Sequence, residues 1–315
     1  MNRRKHRPGQ NLTPHTRPDR DHRGPHRPDS GGKPNSGGNP RKGGHDRGRT
    51  GRAPAKGGYW LYGQHACLAA LANPDRYIHR LALTRESLAQ LGPNLPSGAP
   101  QPEILDRAKL DALLPPGAVH QGIAMLVEPL DDPGVESLAA QPASGNDIVL
   151  LLDQVTDPRN IGAILRSAAA FGARALIVTD RHAPEATGAM AKAASGGLEA
   201  VPMLRVSNLV RAMDLLAEYG FWRVGLAANA DRDLSAAVKD VKRLALVLGA
   251  EDEGLRRLTA EHCDFLAHLP MPGLSGNSSV KSLPLAESLP LVESLNVSVA
   301  ASIALYEAAR RPLKA

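Results

Sequence analysis

Three short segments of this 315-residue chain collect side chains suited to holding or acting on a polar ligand. In the first, Asn160 and Arg166 stand six residues apart at the start of an apolar-periodic stretch. Asn160 is a good helix cap, and the spacing is under two helical turns, so both could face a ligand. In the second, Gly249 and Gly254 bracket Glu251, Asp252 and Glu253. Gly249 would let a ligand approach the backbone, and Glu251 can accept hydrogen bonds or orient a basic group. The third runs Leu269-Pro270-Met271-Pro272-Gly273 and resumes at Ser294-Leu295-Asn296-Val297-Ser298. Ser294 or Asn296 there caps a helix whose first N–H groups suit polar ligand atoms. Each segment alone also has a plain reading: a cap with a solvated Arg, an acidic turn, a tightly packed helix start. Two familiar phosphate-binding signatures are missing. The first strand of this region runs into Asp153–Asn160 without G-x-G-x-x-G, and Gly276–Ser282 lacks the glycine before Lys that a P-loop needs. Hydride transfer from NAD and nucleoside triphosphate hydrolysis both lose weight.

The elements that must position these segments follow from apolar periodicity. Strands are expected at Ile148–Leu152, Ala175–Thr179, Val201–Val206, Trp222–Ala227, Leu244–Leu248 and Phe265–Leu269, and helices at Ile161–Phe171, Pro184–Ala194, Asn208–Tyr219 and Val297–Arg310. Short strands buried on both faces and separated by helices indicate a mostly parallel α/β sheet, whose ligands usually sit beyond the carboxyl ends of its strands. A smaller unit precedes it, with helices at Gly63–Leu71 and Glu103–Leu114 and strands at Tyr77–Leu83 and Gly122–Val127. The expected organisation is an arm at 1–58, a small domain at 59–130, a Pro- and Gly-containing linker at 131–146 and a main domain at 147–315.

The charge is unevenly placed. The whole chain carries +6, but residues 1–58 hold 15 Lys and Arg against 4 Asp, so the rest is net −5. That arm has 12 Gly, 8 Pro and no aromatic residue, a composition expected to stay disordered. It suits an electrostatic tether to RNA with little sequence selectivity, or a solubilising tail. No apolar run approaches the roughly 20 residues that span a bilayer, and no h-region follows the N-terminal charges. Cys67 and Cys263 are the only cysteines, without metal-ligand spacing, so no metal is expected and a reducing cytoplasm is the expected compartment. His182, His262 and His268 are irregularly spaced and read as surface or satisfied histidines. Cys263 reads as a small buried residue, and Phe221 and Trp222 as core.

In this order, Asn160-x-Gly162-x-x-x-Arg166, Gly249-x-Glu251-x-x-Gly254, and Pro270-Met271 with Ser294-Leu295-Asn296-Val297-Ser298 resemble the three motifs of the SpoU-type (TrmH family) RNA 2′-O-ribose methyltransferases of the SPOUT superfamily. Leu61-Tyr62-Gly63-Gln64-His65 and His120-Gln121-Gly122 resemble the small substrate-binding domain of its rRNA guanosine methyltransferases. The resemblance implies a trefoil-knotted α/β domain that binds S-adenosylmethionine in the knot and works as a homodimer on RNA. It implies that Gly249, Leu269, Met271, Ser294 and Leu295 contact the cofactor, and that Asn160, Arg166, Glu251 and Asn296 form the catalytic set. The implied activity is 2′-O-methylation of a ribose, most simply a guanosine of large-subunit rRNA. A tRNA ribose methyltransferase and a non-catalytic RNA-binding or ribosome-assembly factor on the same scaffold stay open. One departure stands out: 20 residues separate Gly273 from Ser294, with near-repeats Ser282–Glu287, Ser288–Glu293 and Ser294–Val299. The insertion at 275–293 either loops out or competes for the third motif's place.

Overall fold

The computed structural model describes residues 58–92, 95–143, 145, 147–271 and 294–311. The expected arm (except Gly58), the near-repeats up to Glu293, and the part of the expected knot that runs through 272–293 lie outside the described residues.

The described residues run through β1 (Tyr59–Tyr62), α1 (Gln64–Ala72), β2 (Ile78–Leu83), α2 (Arg85–Leu91), β3 (Glu103–Ile104), α3 (Arg107–Ala112) and β4 (Ile123–Val127). These strands form a four-stranded sheet in the order β1-β4-β2-β3, antiparallel except for β2 against β3. The helix expected over Glu103–Leu114 starts later: Glu103 and Ile104 are strand, and Asp106 caps α3 by accepting from the Lys109 N–H. An Asp ahead of the apolar positions outcompetes helix propensity at Glu103.

The stretch expected as a linker carries α4 (Val135–Ala140), whose Val135, Leu138 and Ala139 are buried. Its Pro and Gly flank an apolar face rather than forbid one. Then follow β5 (Asp147–Leu152), α5 (Pro158–Ala170), β6 (Ala175–Thr179), α6 (Gly188–Ala194), α7 (Gly197–Ala200), β7 (Met203–Val206) and α8 (Leu209–Glu218). The chain continues through β8 (Trp222–Leu226), α9 (Leu234–Ala237), β9 (Arg243–Leu248), α10 (Arg257–Glu261), β10 (Phe265–Ala267) and α11 (Val297–Arg310). The six expected strands pair, all parallel, in the order β10-β8-β9-β5-β6-β7.

Alternation along β5 sorts its residues to two faces. Ile148, Leu150 and Leu152 join a core with α5, α6 and α11, while Val149 and Leu151 join one with α4 and α8. Both faces are apolar, as the unbroken hydrophobic run requires. Gly162 sets the spacing of α5 and α6: a Cβ there would stand 2.4 Å from the Met190 carbonyl oxygen and 2.7 Å from Ala193 Cβ. A buried bidentate pair ties the small sheet to the parallel one. Arg76 donates to both carboxylate oxygens of Glu199 (3.1 and 2.6 Å) and to the Glu128 carbonyl, and Asn73 Nδ2 donates to the same carboxylate. Phe221 is core as expected, but Trp222 is half exposed, stacked on Phe265 across the β8–β10 edge. The short β10 pairs with β8 only from Val224 onward, so among the described residues nothing covers the outer side of the ring at Trp222.

Candidate active site

The carboxyl ends of β8, β9 and β10 open into one cavity. Gly249, Leu269, Met271, Ser294 and Leu295 all line it, and so does Glu251. Leu226, Ala227, Leu248, Val297 and Ala300 make the rest of the lining largely apolar. The polar exception is His268, whose Nδ1 is buried without a hydrogen-bond partner among the described residues. That histidine, read from sequence as incidental, and the end of β8 are the lining elements the motifs did not reveal. The rule that ligands gather at strand carboxyl ends was the available signal for β8. No spacing pointed to His268.

Gly249 is needed for a reason other than ligand approach. A Cβ there would stand 2.0 Å from the Gly254 carbonyl carbon and 2.4 Å from the Leu255 nitrogen, so the loop's own backbone occupies that side. Ala250 and Gly254 exchange backbone hydrogen bonds, closing the loop that carries Glu251. Gly254 adopts φ 66°, which favours glycine.

Asn160 does not cap α5. Asp157 does, accepting from the Arg159 N–H at 2.8 Å with Pro158 as the first helical residue. Proline at that position loses no hydrogen bond, which lets the helix start earlier than periodicity alone suggests. Asn160 therefore lies in the first turn, where its side chain is free for tertiary contact. Asn296 supplies that contact. It caps α11 by accepting through Oδ1 from the Ser298 N–H (2.9 Å) and Ser298 Oγ (2.6 Å). Its Nδ2 donates to Asn160 Oδ1 and to Glu251 Oε2, each at 3.2 Å. One amide thus joins the three motifs at the rim of the cavity. Among the described residues the Asn160 amide nitrogen and Glu251 Oε1 have no hydrogen-bond partner.

Arg166 is not part of this cluster. It lies on the exposed stripe of α5 with Arg159, without an ion pair among the described residues. Six residues advance a helix by about 600°, which leaves Asn160 and Arg166 on different faces. Cys263 is half buried, its thiol donates to the Thr259 carbonyl, and burial pushes its pKa up to about 12, the opposite of activation. No group of metal-ligating side chains occurs among the described residues.

Profiles of two families match the chain: the SpoU rRNA methylase family over residues 147–288, and the RNA 2′-O ribose methyltransferase substrate-binding domain over residues 60–133. The chain is 40% identical over 260 residues to the 23S rRNA (guanosine-2′-O-)-methyltransferase RlmB of Escherichia coli K12, covering 80% of this chain and 98% of that protein. The Vibrio vulnificus RlmB is 39% identical over 261 residues, 81% and 97% of the two chains. Among solved structures, the SpoU methyltransferase AviRb from Streptomyces viridochromogenes superposes with a TM-score of 0.63 at 23% identity, covering 81% of this chain and 89% of that one. An AdoMet-bound rRNA methyltransferase from Sinorhizobium meliloti does so with a TM-score of 0.63 at 20% identity, covering 80% and 87%. These two show the fold.

Proposed function

The chain belongs to the SpoU rRNA methylase family, and we propose that it methylates the ribose 2′-oxygen of a guanosine in large-subunit rRNA. The reaction is S-adenosylmethionine-dependent 2′-O-methylation of RNA. The observation that carries the site assignment is the hydrogen-bonded Asn160–Asn296–Glu251 cluster beside the cavity lined by the second and third motifs.

Gly249, Leu269, Met271, Ser294 and Leu295 would hold S-adenosylmethionine, which when bound supplies a methyl group activated by its sulfonium. The lining fits a ligand that is part apolar and part hydrogen-bonding, and the partnerless His268 Nδ1 is one polar contact ready for it. In-line displacement depends above all on positioning. Asn296 supplies it by locking Asn160 and Glu251 in one geometry, leaving the Asn160 amide N–H to donate and Glu251 Oε1 to accept from a ribose hydroxyl. The 2′-hydroxyl must shed its proton as the new bond forms. Arg166 is a poor acceptor, because a guanidinium stays protonated throughout the accessible pH range. Its part is electrostatic: it holds the neighbouring phosphate or the developing alkoxide, and a phosphate oxygen or water takes the proton.

Two further parts belong to this reading. Val299, Ile303 and Tyr306 form an exposed apolar strip on α11, which supports homodimerisation through that helix. The basic arm at 1–58 adds nonspecific attraction to RNA, so its removal weakens RNA binding and flattens its salt dependence while leaving cofactor binding intact.

The test is transfer of labelled methyl from S-adenosylmethionine to 23S rRNA, with the product mapped by 2′-O-methyl-sensitive primer extension. A single modified guanosine is expected; transfer to tRNA alone would replace the proposed substrate. A single-turnover pH–rate profile tests the role of Arg166. An ionisation that vanishes in Arg166→Ala with cofactor affinity intact would make Arg166 the proton acceptor.

A further inference from the structure

A second cavity opens on the same carboxyl edge of the parallel sheet, beyond β6 and β7, and it differs in chemistry from the first. Its ionisable lining is entirely of the basic type: Arg181, His182, Arg256, Arg257 and His262, with no carboxylate among the lining residues. The start of α8 faces it through Leu209 and Val210. Asn208 accepts from the Arg211 N–H, so the first two N–H groups of this ten-residue helix have no acceptor within the helix. An independent feature points to a ligand. Thr259 is 1% exposed and lines the cavity, yet its hydroxyl has no hydrogen-bond partner among the described residues. Buried hydroxyls are normally satisfied.

Three of the five basic groups have acidic partners outside the cavity: Arg256 pairs with buried Asp153, Arg257 with Glu261, and His262 with Asp214. The Arg257 and His262 pairs are solvent-exposed and therefore weak, so both side chains are available to an anion at small cost. Arg181 and His182 have no ion pair among the described residues, and Ser207 adds a hydroxyl. Helix N–H groups, hydroxyls and guanidinium groups converging on one cavity are the donor set of a phosphate site.

We infer that this cavity binds a backbone phosphate of the substrate RNA strand, away from the ribose that is methylated. The inference rests on the RNA-methylating function proposed above and adds a second point of attachment on the same sheet edge. Asp153, at the end of β5, lies between the two cavities in the strand order and anchors Arg256. A strand running along this edge is fixed at two points, one at the reacting ribose and one at a phosphate. Inorganic phosphate shares the recognised chemistry, so the experiment separates the two sources.

The full chain and two variants, Arg181→Ala/Arg257→Ala and Thr259→Val, are titrated with a 23S rRNA fragment over a range of salt. The double variant is expected to bind about tenfold more weakly, with the salt slope shallower by roughly 0.7, the value for one phosphate of a single strand. Thr259→Val, similar in shape, lowers RNA affinity in the same direction. S-adenosylmethionine affinity is unchanged in both. Backbone amide signals of Val210 and Thr259 are then followed by NMR with a short oligouridylate and with inorganic phosphate. The oligonucleotide should shift them at concentrations where phosphate does not. Unchanged RNA affinity and salt slope in the variants would overturn the inference, as would shifts with inorganic phosphate but none with RNA. If the wild-type chain methylates no RNA while the oligonucleotide still shifts these amides, the proposed function fails and the phosphate site stands.

Discussion

At the amino end of β5, Asp147 is 3% exposed and takes hydrogen bonds from Arg174 (2.6 Å) and Arg243 (3.0 Å). Arg243 goes on to donate to the carbonyls of Tyr219 and Ala139 and lies over the Phe221 ring. At the carboxyl end, Asp153 is equally buried and takes hydrogen bonds from the Arg256 side chain (2.7 Å) and backbone N–H (3.1 Å). The chemical groups are the same, but the surroundings differ. At the amino end Arg174 also donates to Gln141 and the Pro142 carbonyl, so both guanidinium groups seal the sheet against the end of α4. The carboxyl end leaves Arg256 43% exposed, puts Gln154 at φ 62°, and opens two cavities. A parallel sheet thus concentrates stability at one edge and keeps the other for ligands, where strained backbone is tolerated.

The largest effect that could break this contrast is on stability. Asp147→Ala strands two guanidinium groups at a closed edge and should cost about 3–5 kcal/mol, read from urea midpoints. Asp153→Ala should cost about 1–2 kcal/mol, since Arg256 can turn to solvent. Equal losses would mean that the two ends are built alike. Next comes catalysis. Asn296→Ala releases Asn160 and Glu251 together and should lower the single-turnover methylation rate about 100-fold. Loss of the α11 cap should cost only about 1 kcal/mol of stability. A rate within threefold of wild type would remove the cluster from the mechanism. Gly249→Ala forces the 249–254 loop apart and should weaken S-adenosylmethionine binding about tenfold by calorimetry, roughly 1.4 kcal/mol. The smallest expected signal is at Cys263. Its thiol pKa lies above the ordinary value because burial disfavours the thiolate, so the reactive form is scarce until pH rises toward 12. Iodoacetamide at pH 8 should leave it unmodified in the folded chain and alkylate it readily in urea. Rapid labelling of the folded chain would place an open, reactive edge where the structure puts a packed one.

Local patterns carried much of this. The strands at Ala175–Thr179 and Trp222–Leu226 and the helix at Val297–Arg310 are visible in sequence because each has its own apolar period or run. Short helices with little periodicity, such as α7 and α10, are not, and α4 hides among Pro and Gly. The start of α5 is ambiguous in the sequence because Asn160 and Asp157 are both good caps, and only Pro158 after Asp157 distinguishes them. The residues lining the cavity at β8–β10 follow from the motifs, but the reason for Gly249 does not, since Gly254 sits against it by loop closure.

The amino-acid sequence by itself determines the alternation of strands and helices, the order of the three motifs and the uneven charge, +11 in residues 1–58 against −5 in the rest. These depend on side-chain type and on spacing within one element. The tertiary structure alone decides that Asn296 meets Asn160 across 136 residues and Glu251 across 45, and that Arg166 does not join them. It also decides that the basic residues after β6 and at α10 share one cavity. Those meetings depend on the strand order β10-β8-β9-β5-β6-β7, which sets which loops become neighbours and which no local periodicity encodes.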